Sequence, residues 1–141
     1  MKTIEELSAE IEEEFSVFGE WLDKYEYIIE LGKSLELIDE ADKTDDNLIA
    51  GCQSRVWLSC SMEEGRLKFK ADSDAIITKG IISLLIRVYS GQKPADILAS
   101  DFGFIERIGL RENLSPTRAG GLTAMIKQIK LYALAYESKQ Q

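Results

Sequence analysis

The sequence feature that most constrains the fold is a single region of two-residue periodicity, flanked by segments of helical periodicity. Apolar and polar residues alternate through 56–62 and again through 67–71, and the Glu63-Glu64-Gly65 segment between them suits a tight turn. The alternating apolar positions are Val56, Leu58, Cys60, Met62, Leu67, Phe69 and Ala71. This pattern predicts one antiparallel hairpin. Because two strands alone form a poor sheet, we expect a third short strand or extended segment beside them.

Two amphipathic helices are predicted before the hairpin. Thr3 and Glu6 form a capping box for the first helix. Ser16 is the expected cap of the second, which ends at Gly32. The apolar stripe predicted for this second helix consists of Phe18, Leu22, Tyr25 and Ile29. Residues 33–50 follow without clear periodicity, and this acidic segment is expected to be a long loop.

Helical patterns also follow the hairpin. Asp74 is the expected cap of a buried helix over 75–90, in which Gly80 indicates close approach of another backbone. Short helices are predicted from Pro94 and over 101–108, and a long last helix begins at Ser115-Pro116. The apolar face of that last helix consists of Leu122, Met125, Ile126, Ile129 and Tyr136. The elements together predict an α+β fold, with a small antiparallel sheet packed against several α-helices.

The composition limits the classes of protein to which the chain can belong. A chain of 141 residues with 45% hydrophobic content fits a single domain, 1–141, with a sizeable core. Its net charge of −8 disfavours nucleic acid and favours a partner with a basic patch. The acidic N-terminus does not resemble a signal peptide, and the longest apolar stretch, 75–89, is too short for a membrane span. We therefore expect a cytoplasmic protein with reduced thiols and no membrane partner.

The chain has two cysteines and no histidine, which narrows the chemistry available to it. Without an imidazole it lacks the base of Cys–His and Ser–His–Asp hydrolases, and it cannot fill the usual zinc shell. The parity of the hairpin places Cys60 on the apolar face, where it is expected to be inert. Cys52 follows Gly51 at the end of the polar segment, where a loop meets the first strand. It is either a structural residue or a thiolate that exchanges disulfides or carries sulfur.

The polar residues around Cys52 each allow two interpretations. Gln53 and Ser54 either donate hydrogen bonds to a sulfur anion or satisfy the loop backbone. Asp74 either caps the following helix or has a functional role. Arg118 lies with small residues at the start of the last helix, which suits either anion binding or a helix cap with tight packing.

Four blocks of the sequence resemble the SufE family, the sulfur-acceptor proteins that work with SufS-type cysteine desulfurases. The blocks are residues 25–32, 47–57, 72–80 and 114–118, the last continuing through Gly121, Leu122 and Met125. They run in family order across nearly the whole chain, and the second contains Gly51-Cys52-Gln53-Ser54. The resemblance implies an α+β fold similar to that of the IscU cluster scaffolds.

The resemblance also implies a mechanism. Cys52 attacks the outer sulfur of a persulfide on the desulfurase, stimulates that enzyme, and relays the sulfur to a SufBCD-type cluster assembly complex. Gly51, Gln53, Ser54, Asp74 and Arg118 are then loop or partner contacts. The pyridoxal phosphate belongs to the desulfurase, so this chain needs no cofactor of its own. The expected role is that of a transpersulfidation partner, monomeric or weakly dimeric, rather than that of an independent enzyme.

Two alternatives remain open at the level of the sequence. An IscU-like iron–sulfur scaffold has the same kind of fold, but it needs several cluster ligands where this chain offers one plausible thiol. A binding module that activates a desulfurase without carrying sulfur needs no reactive cysteine. A nearby apolar surface, such as Trp57 or a helix face, is expected to shield Cys52 in the carrier interpretation.

Overall fold

A computed structural model of the chain describes residues 2–139, and it confirms the α+β class. In these residues six α-helices accompany one two-stranded sheet. The elements are α1 Ile4–Ser16, α2 Trp21–Gly32, β1 Val56–Glu63, β2 Arg66–Ser73, α3 Ile76–Tyr89, α4 Pro94–Ala99, α5 Phe104–Arg107 and α6 Pro116–Lys139. The predicted capping box of α1 is present, and Pro94 and Pro116 begin the helices expected from them.

The hairpin forms as predicted, with antiparallel register from Val56 opposite Ser73 to Glu63 opposite Arg66. The turn places Glu64 and Gly65 at positive φ. The sequence predicts one extended segment beside the hairpin, and the structure has one at each edge of this narrow sheet. Leu37 forms a bridge with Ala71 on β2, and Leu48 forms one with Trp57 on β1.

The inner face of the sheet packs against α3, and two tyrosines of α6 contact its first strand. Leu58, Phe69 and Ala71 are fully buried there. From α6, the Tyr132 hydroxyl donates a hydrogen bond to the carbonyl of Leu58, and the Tyr136 hydroxyl donates one to that of Cys60. These bonds fix the long last helix across the first strand. Since the N-terminal end of α6 faces the loop before β1, the packing also sets the geometry of the site described below.

The predicted backbone approach at Gly80 is confirmed, and it joins α2 to α3. A Cβ at Gly80 would lie only 2.7 Å from the carbonyl carbon of Ile28. Gly32, the last residue of α2, is the reciprocal small residue, since a Cβ there would lie 3.0 Å from the Gly80 amide nitrogen. The two helices are therefore in backbone contact.

The predicted start of α2 is wrong. Ser16 is the last residue of α1, its hydroxyl donates to the carbonyl of Glu13, and Glu20 is the residue that precedes α2. The inner face of α2 also differs from the predicted stripe, because the helix packs against Gly80 of α3 through Ile28. Leu22 is 67% exposed, whereas Ile28 is fully buried.

Three further expectations are corrected. Helix α3 spans Ile76–Tyr89, and Asp74 does not cap it, because the Asp74 carboxylate accepts a hydrogen bond from the Arg55 amide. The segment 33–50 contains two short 3₁₀ turns, Glu40–Asp42 and Asp45–Asn47. The helix predicted over 101–108 is reduced to Phe104–Arg107, since the Asp101 carboxylate accepts from the Gly103 amide and forms a turn before it.

Candidate functional site around Cys52

The loop between Leu48 and Val56 carries Cys52 and packs against α6. At its base, the Ile49 amide donates to the Val56 carbonyl, which closes the loop. Gly51 has φ +92°, a conformation that suits glycine. A Cβ at Gly51 would lie 3.3 Å from the Ala124 methyl group. The backbone conformation therefore requires glycine here, and the tight contact with α6 favours it as well.

The Cys52 thiol is half-buried between this loop and α6. Its Sγ donates a weak hydrogen bond of 3.6 Å to the carbonyl oxygen of Gly121. A Cβ at Gly121 would lie 3.5 Å from the same sulfur, so only a small residue fits beside it without displacement. Burial raises the pKa of the Cys52 thiol. In this conformation the thiol is therefore protonated and poorly nucleophilic at neutral pH.

A cavity of about 300 Å³ lies beside Cys52, where the loop, α3 and the start of α6 meet. It is lined by Cys52, Gln53, Ser54, Thr78, Ile81, Ser115, Thr117, Arg118, Gly121 and Met125. These residues include one cation, several hydroxyl groups and no carboxylate. In a chain with 25 acidic residues, this cavity is a local region suited to a negative charge.

Arg118 lies in the first turn of α6, on the surface side of the cavity. Its amide donates to the hydroxyl of Ser115, so Ser115 caps the helix as the sequence predicted. The two interpretations of this segment are therefore compatible. Ser115 caps the start of the helix, and the Arg118 side chain remains at the cavity. The N-terminal end of the 24-residue helix adds to the positive potential there.

The structure brings Cys52, Gln53, Ser54 and Arg118 together at this cavity. Asp74 does not line it; its carboxylate accepts from the Arg55 amide at 3.1 Å, and the Ser73 hydroxyl donates to the Arg55 carbonyl at 2.8 Å. These two bonds anchor the far end of the Cys52 loop to the end of β2. Of the predicted site residues, Asp74 is therefore placed as a loop anchor.

Trp57 does not line the cavity either. Its ring is covered by the ammonium group of Lys43, 5.3 Å from the ring centroid, and Lys43 also pairs with Asp72 at 2.7 Å. The apolar walls beside Cys52 are Ile81 and Met125. Helical periodicity alone assigns both residues to the ordinary core, because their second role depends on tertiary packing that periodicity does not contain.

Thr78 and Thr117 lie in the matched blocks 72–80 and 114–118, but sequence reasoning assigned neither to the site, although a signal existed for Thr78. Thr78 is a buried hydroxyl residue in the largely apolar first half of α3. A buried polar residue on an apolar helix is the kind of exception that points to a site.

The second thiol has a different environment. Cys60 is free and half-buried, on the core-facing side of β1 as predicted, although it is not fully buried. Burial raises its pKa to about 12. Within residues 2–139, no group of three or more histidine, cysteine, aspartate or glutamate side chains is arranged to hold a metal ion. No helix in the same range is long and apolar enough to cross a membrane.

Residues 9–133 match the SufE family, described as the Fe-S metabolism associated domain. The chain belongs to the SufE family. It is 40% identical over 126 residues to an uncharacterized SufE-like protein of Rhizobium etli, covering 86% of this chain and 85% of that protein. It is 38% identical over 126 residues to an uncharacterized SufE-like protein of Rhizobium meliloti, covering 86% and 90% of the two chains. This SufE-family chain therefore has a general role in iron–sulfur metabolism.

The fold is similar to one already solved. A solution structure of a hypothetical protein from Thermus thermophilus matches with a TM-score of 0.78 at 19% sequence identity, covering 94% of this chain and 96% of that one. At this identity the likeness concerns the fold alone. It supports the α+β architecture read from the helices and the hairpin.

Proposed function

We propose that this protein is a sulfur acceptor that takes persulfide sulfur from a SufS-type cysteine desulfurase onto Cys52. It stimulates the desulfurase by removing that sulfur and relays it to a SufBCD-type cluster assembly complex in the cytoplasm. The observation that carries the proposal is the position of Cys52: a single free thiol on an anchored loop, beside a cavity without carboxylates. The SufE family match supports the same assignment.

The transfer step balances without a cofactor on this chain. The Cys52 thiol loses its proton to solvent or to the desulfurase, and the resulting thiolate attacks the outer sulfur of the donor persulfide. A new S–S bond forms at Cys52 as the donor S–S bond breaks, and the desulfurase cysteine leaves as a thiolate. The pyridoxal phosphate that first releases sulfur from free cysteine belongs to the desulfurase.

Displacement of the loop is part of this proposal. In the structure the Cys52 thiol points to the Gly121 carbonyl and burial raises its pKa, so it must leave α6 to become an exposed thiolate. In residues 2–139 the thiol makes one weak sulfur hydrogen bond, in addition to apolar packing of the loop on α6. The anchors at Arg55 remain at the base of the loop, so a local movement of a few residues is enough to present the thiol.

The geometry favours the carrier over the two alternatives. A cluster scaffold needs several ligands at one place. Around Cys52 the described cavity contains hydroxyl, amide and guanidinium groups, which are poor ligands for iron. A binding module that carries no sulfur gives no reason for a free thiol beside a carboxylate-free cavity.

Intact-mass spectrometry tests the proposal. The protein is incubated with a SufS-type desulfurase and free cysteine, without reductant, and we expect one added sulfur atom that maps to Cys52. Cys60→Ala should be loaded as wild type is, and Cys52→Ser should not be loaded. Full stimulation of the desulfurase by Cys52→Ser would contradict the carrier function and favour the binding module.

A further inference from the structure

The cavity beside Cys52 contains a hydroxyl group that the fold itself does not use. Thr78 lies in the first turn of α3 and is only 7% exposed, yet its hydroxyl forms no hydrogen bond with any group in residues 2–139. It lines the same cavity as Cys52. The Thr78 oxygen is not among the fully buried atoms that lack a partner, so the hydroxyl is accessible from the cavity and is free to donate a hydrogen bond to a group that enters it.

The rest of the cavity indicates the charge of such a group. None of the ten lining residues is acidic, and Arg118 provides a positive charge at the start of a long helix. The other polar groups are the hydroxyls of Ser54, Ser115 and Thr117 and the amide of Gln53. Donors, a cation and a helix N-terminus together favour an anion.

Loading of Cys52 with sulfur creates such an anion at this place. In the free protein the thiol hydrogen is donated to the Gly121 carbonyl. A persulfide anion has no hydrogen to donate, so the carbonyl repels it. The outer sulfur then moves toward groups that donate hydrogen bonds, and the neighbouring cavity of about 300 Å³ has ample room for one atom.

On the basis of the proposed function, we propose that the Thr78 hydroxyl donates a hydrogen bond to the outer sulfur of the Cys52 persulfide. Ile81 and Met125 form apolar walls of the cavity, so the bond lies in a region of low dielectric constant. A hydrogen bond to the charged form of a group lowers its pKa. Thr78 therefore keeps the stored sulfur ionised and positioned inside the protein.

The test compares Thr78→Val, which has the same shape without the hydroxyl, with Thr78→Ser, which keeps it. Both are made in a Cys60→Ala background, so that sulfur can reside only on Cys52. The persulfide is formed by the desulfurase or, independently, by inorganic polysulfide. The rate of its alkylation by iodoacetamide is then measured as a function of pH. Thermal melting of each variant checks that the fold is intact.

We expect Thr78→Val to raise the pKa of the persulfide by about one unit, a tenfold change worth about 1.4 kcal/mol. Thr78→Ser should retain the wild-type value. Equal pH profiles for Thr78→Val and wild type would overturn the proposal, and so would a Thr78→Ser profile that shifts as far as that of Thr78→Val. If polysulfide loads Cys52 but the desulfurase does not, the proposed function fails while the assignment of Thr78 is still tested.

Discussion

At the scale of single residues, the environment of each thiol sets its reactivity. Cys52 and Cys60 are both free, and burial raises the pKa of both. For Cys60 the pKa rises to about 12, and no loop movement exposes a residue in the middle of a paired strand. Cys52 lies in a loop, so its low reactivity belongs to one conformation of the chain. Burial therefore lowers the reactivity of Cys60 as long as the strand is paired, but lowers that of Cys52 only while its loop packs against α6.

Alkylation of the native protein should reveal this difference. At about pH 8.5, near the reference pKa of cysteine, we expect iodoacetamide to label Cys52 slowly and Cys60 more slowly still. Because burial raises both pKa values, both rates should increase as the pH rises. In concentrated urea the two rates should become equal. Peptide mapping after timed quenching measures each site, and faster labelling of Cys60 in the native protein would contradict this interpretation.

The thiol-bearing loop is also held by a single carboxylate whose role can be isolated. Asp74 accepts from the Arg55 amide, so Asp74→Ala should free the end of the loop and increase the alkylation rate of Cys52 several-fold. Asp74→Asn keeps an acceptor oxygen and is the matched control. The readout is the labelling rate of Cys52 relative to that of Cys60. Equal effects of the two substitutions would show that charge, and not the hydrogen bond, is what matters.

At the scale of elements, the contact between α2 and α3 depends on the absence of side chains. Gly80 places its backbone against Ile28, and Gly32 lies opposite. Helices pack this closely only where small residues face each other, because a methyl group would separate the two backbones. The contact positions α3, and α3 carries Thr78 and Ile81 of the cavity. The geometry of the site therefore depends on a helix pair remote from the thiol loop.

Substitution of helical glycines tests this contact. Gly80→Ala should lower the free energy of unfolding by about 3 kcal/mol, since its methyl group would overlap the Ile28 carbonyl. Gly120→Ala, in the first turns of α6, has no neighbour within 4 Å and should stabilise the protein by about 0.5–1 kcal/mol. Urea denaturation measures both. A mild effect of Gly80→Ala would mean that the two helices separate easily.

At the scale of the whole molecule, a charged network joins the first three helices. Glu14 on α1 accepts hydrogen bonds from Arg87 on α3 and from the hydroxyl of Tyr27 on α2. The Arg87 guanidinium binds both carboxylate oxygens, and this hydrogen bonding lowers the pKa of Glu14. The helical layer is thus held by one ionised carboxyl group in addition to apolar packing.

The network predicts a dependence of stability on pH. A carboxyl pKa that is lowered in the folded state stabilises the protein above the unfolded value of 4.5, and that contribution is lost as the pH falls through the folded value. Arg87→Met should cost about 1–2 kcal/mol near pH 7 and much less near pH 3. Arg107→Met removes a more exposed pair with Glu12 and should cost little at either pH. Urea denaturation at the two pH values distinguishes them.

Much of the fold could be predicted from the sequence because it depends on local periodicity. The hairpin follows from alternation between Val56 and Ala71, and the contact at Gly80 follows from a glycine inside an apolar helix. The start of α2 could not be predicted, because Ser16 is as good a cap as the sequence offers and tertiary packing extends α1 through it. Similarly, Asp74 looks like a helix cap, and only its partner across the hairpin, the Arg55 amide, shows otherwise.

The candidate site was predictable only in part, for the same reason. Cys52 and its neighbours Gln53 and Ser54 are adjacent in sequence, so the loop could be recognised directly. Arg118 was recognised through its family block, and the structure places it at the same cavity. Thr78 and Gly121 come from different helices, and their approach to Cys52 depends on how α3 and α6 pack. A contact between residues of different helices leaves no periodic pattern in the sequence.

The hydrogen bond from Cys52 to the Gly121 carbonyl also affects how readily the thiol is oxidised. Peroxide attacks the thiolate, and a protonated, half-covered thiol is a poor target. If Cys52 accepts sulfur as proposed, the protein without sulfur should therefore tolerate peroxide without forming sulfenic acid, and become vulnerable only when its loop leaves α6. Protection would then come from the resting position of one sulfur atom and not from a dedicated reductase.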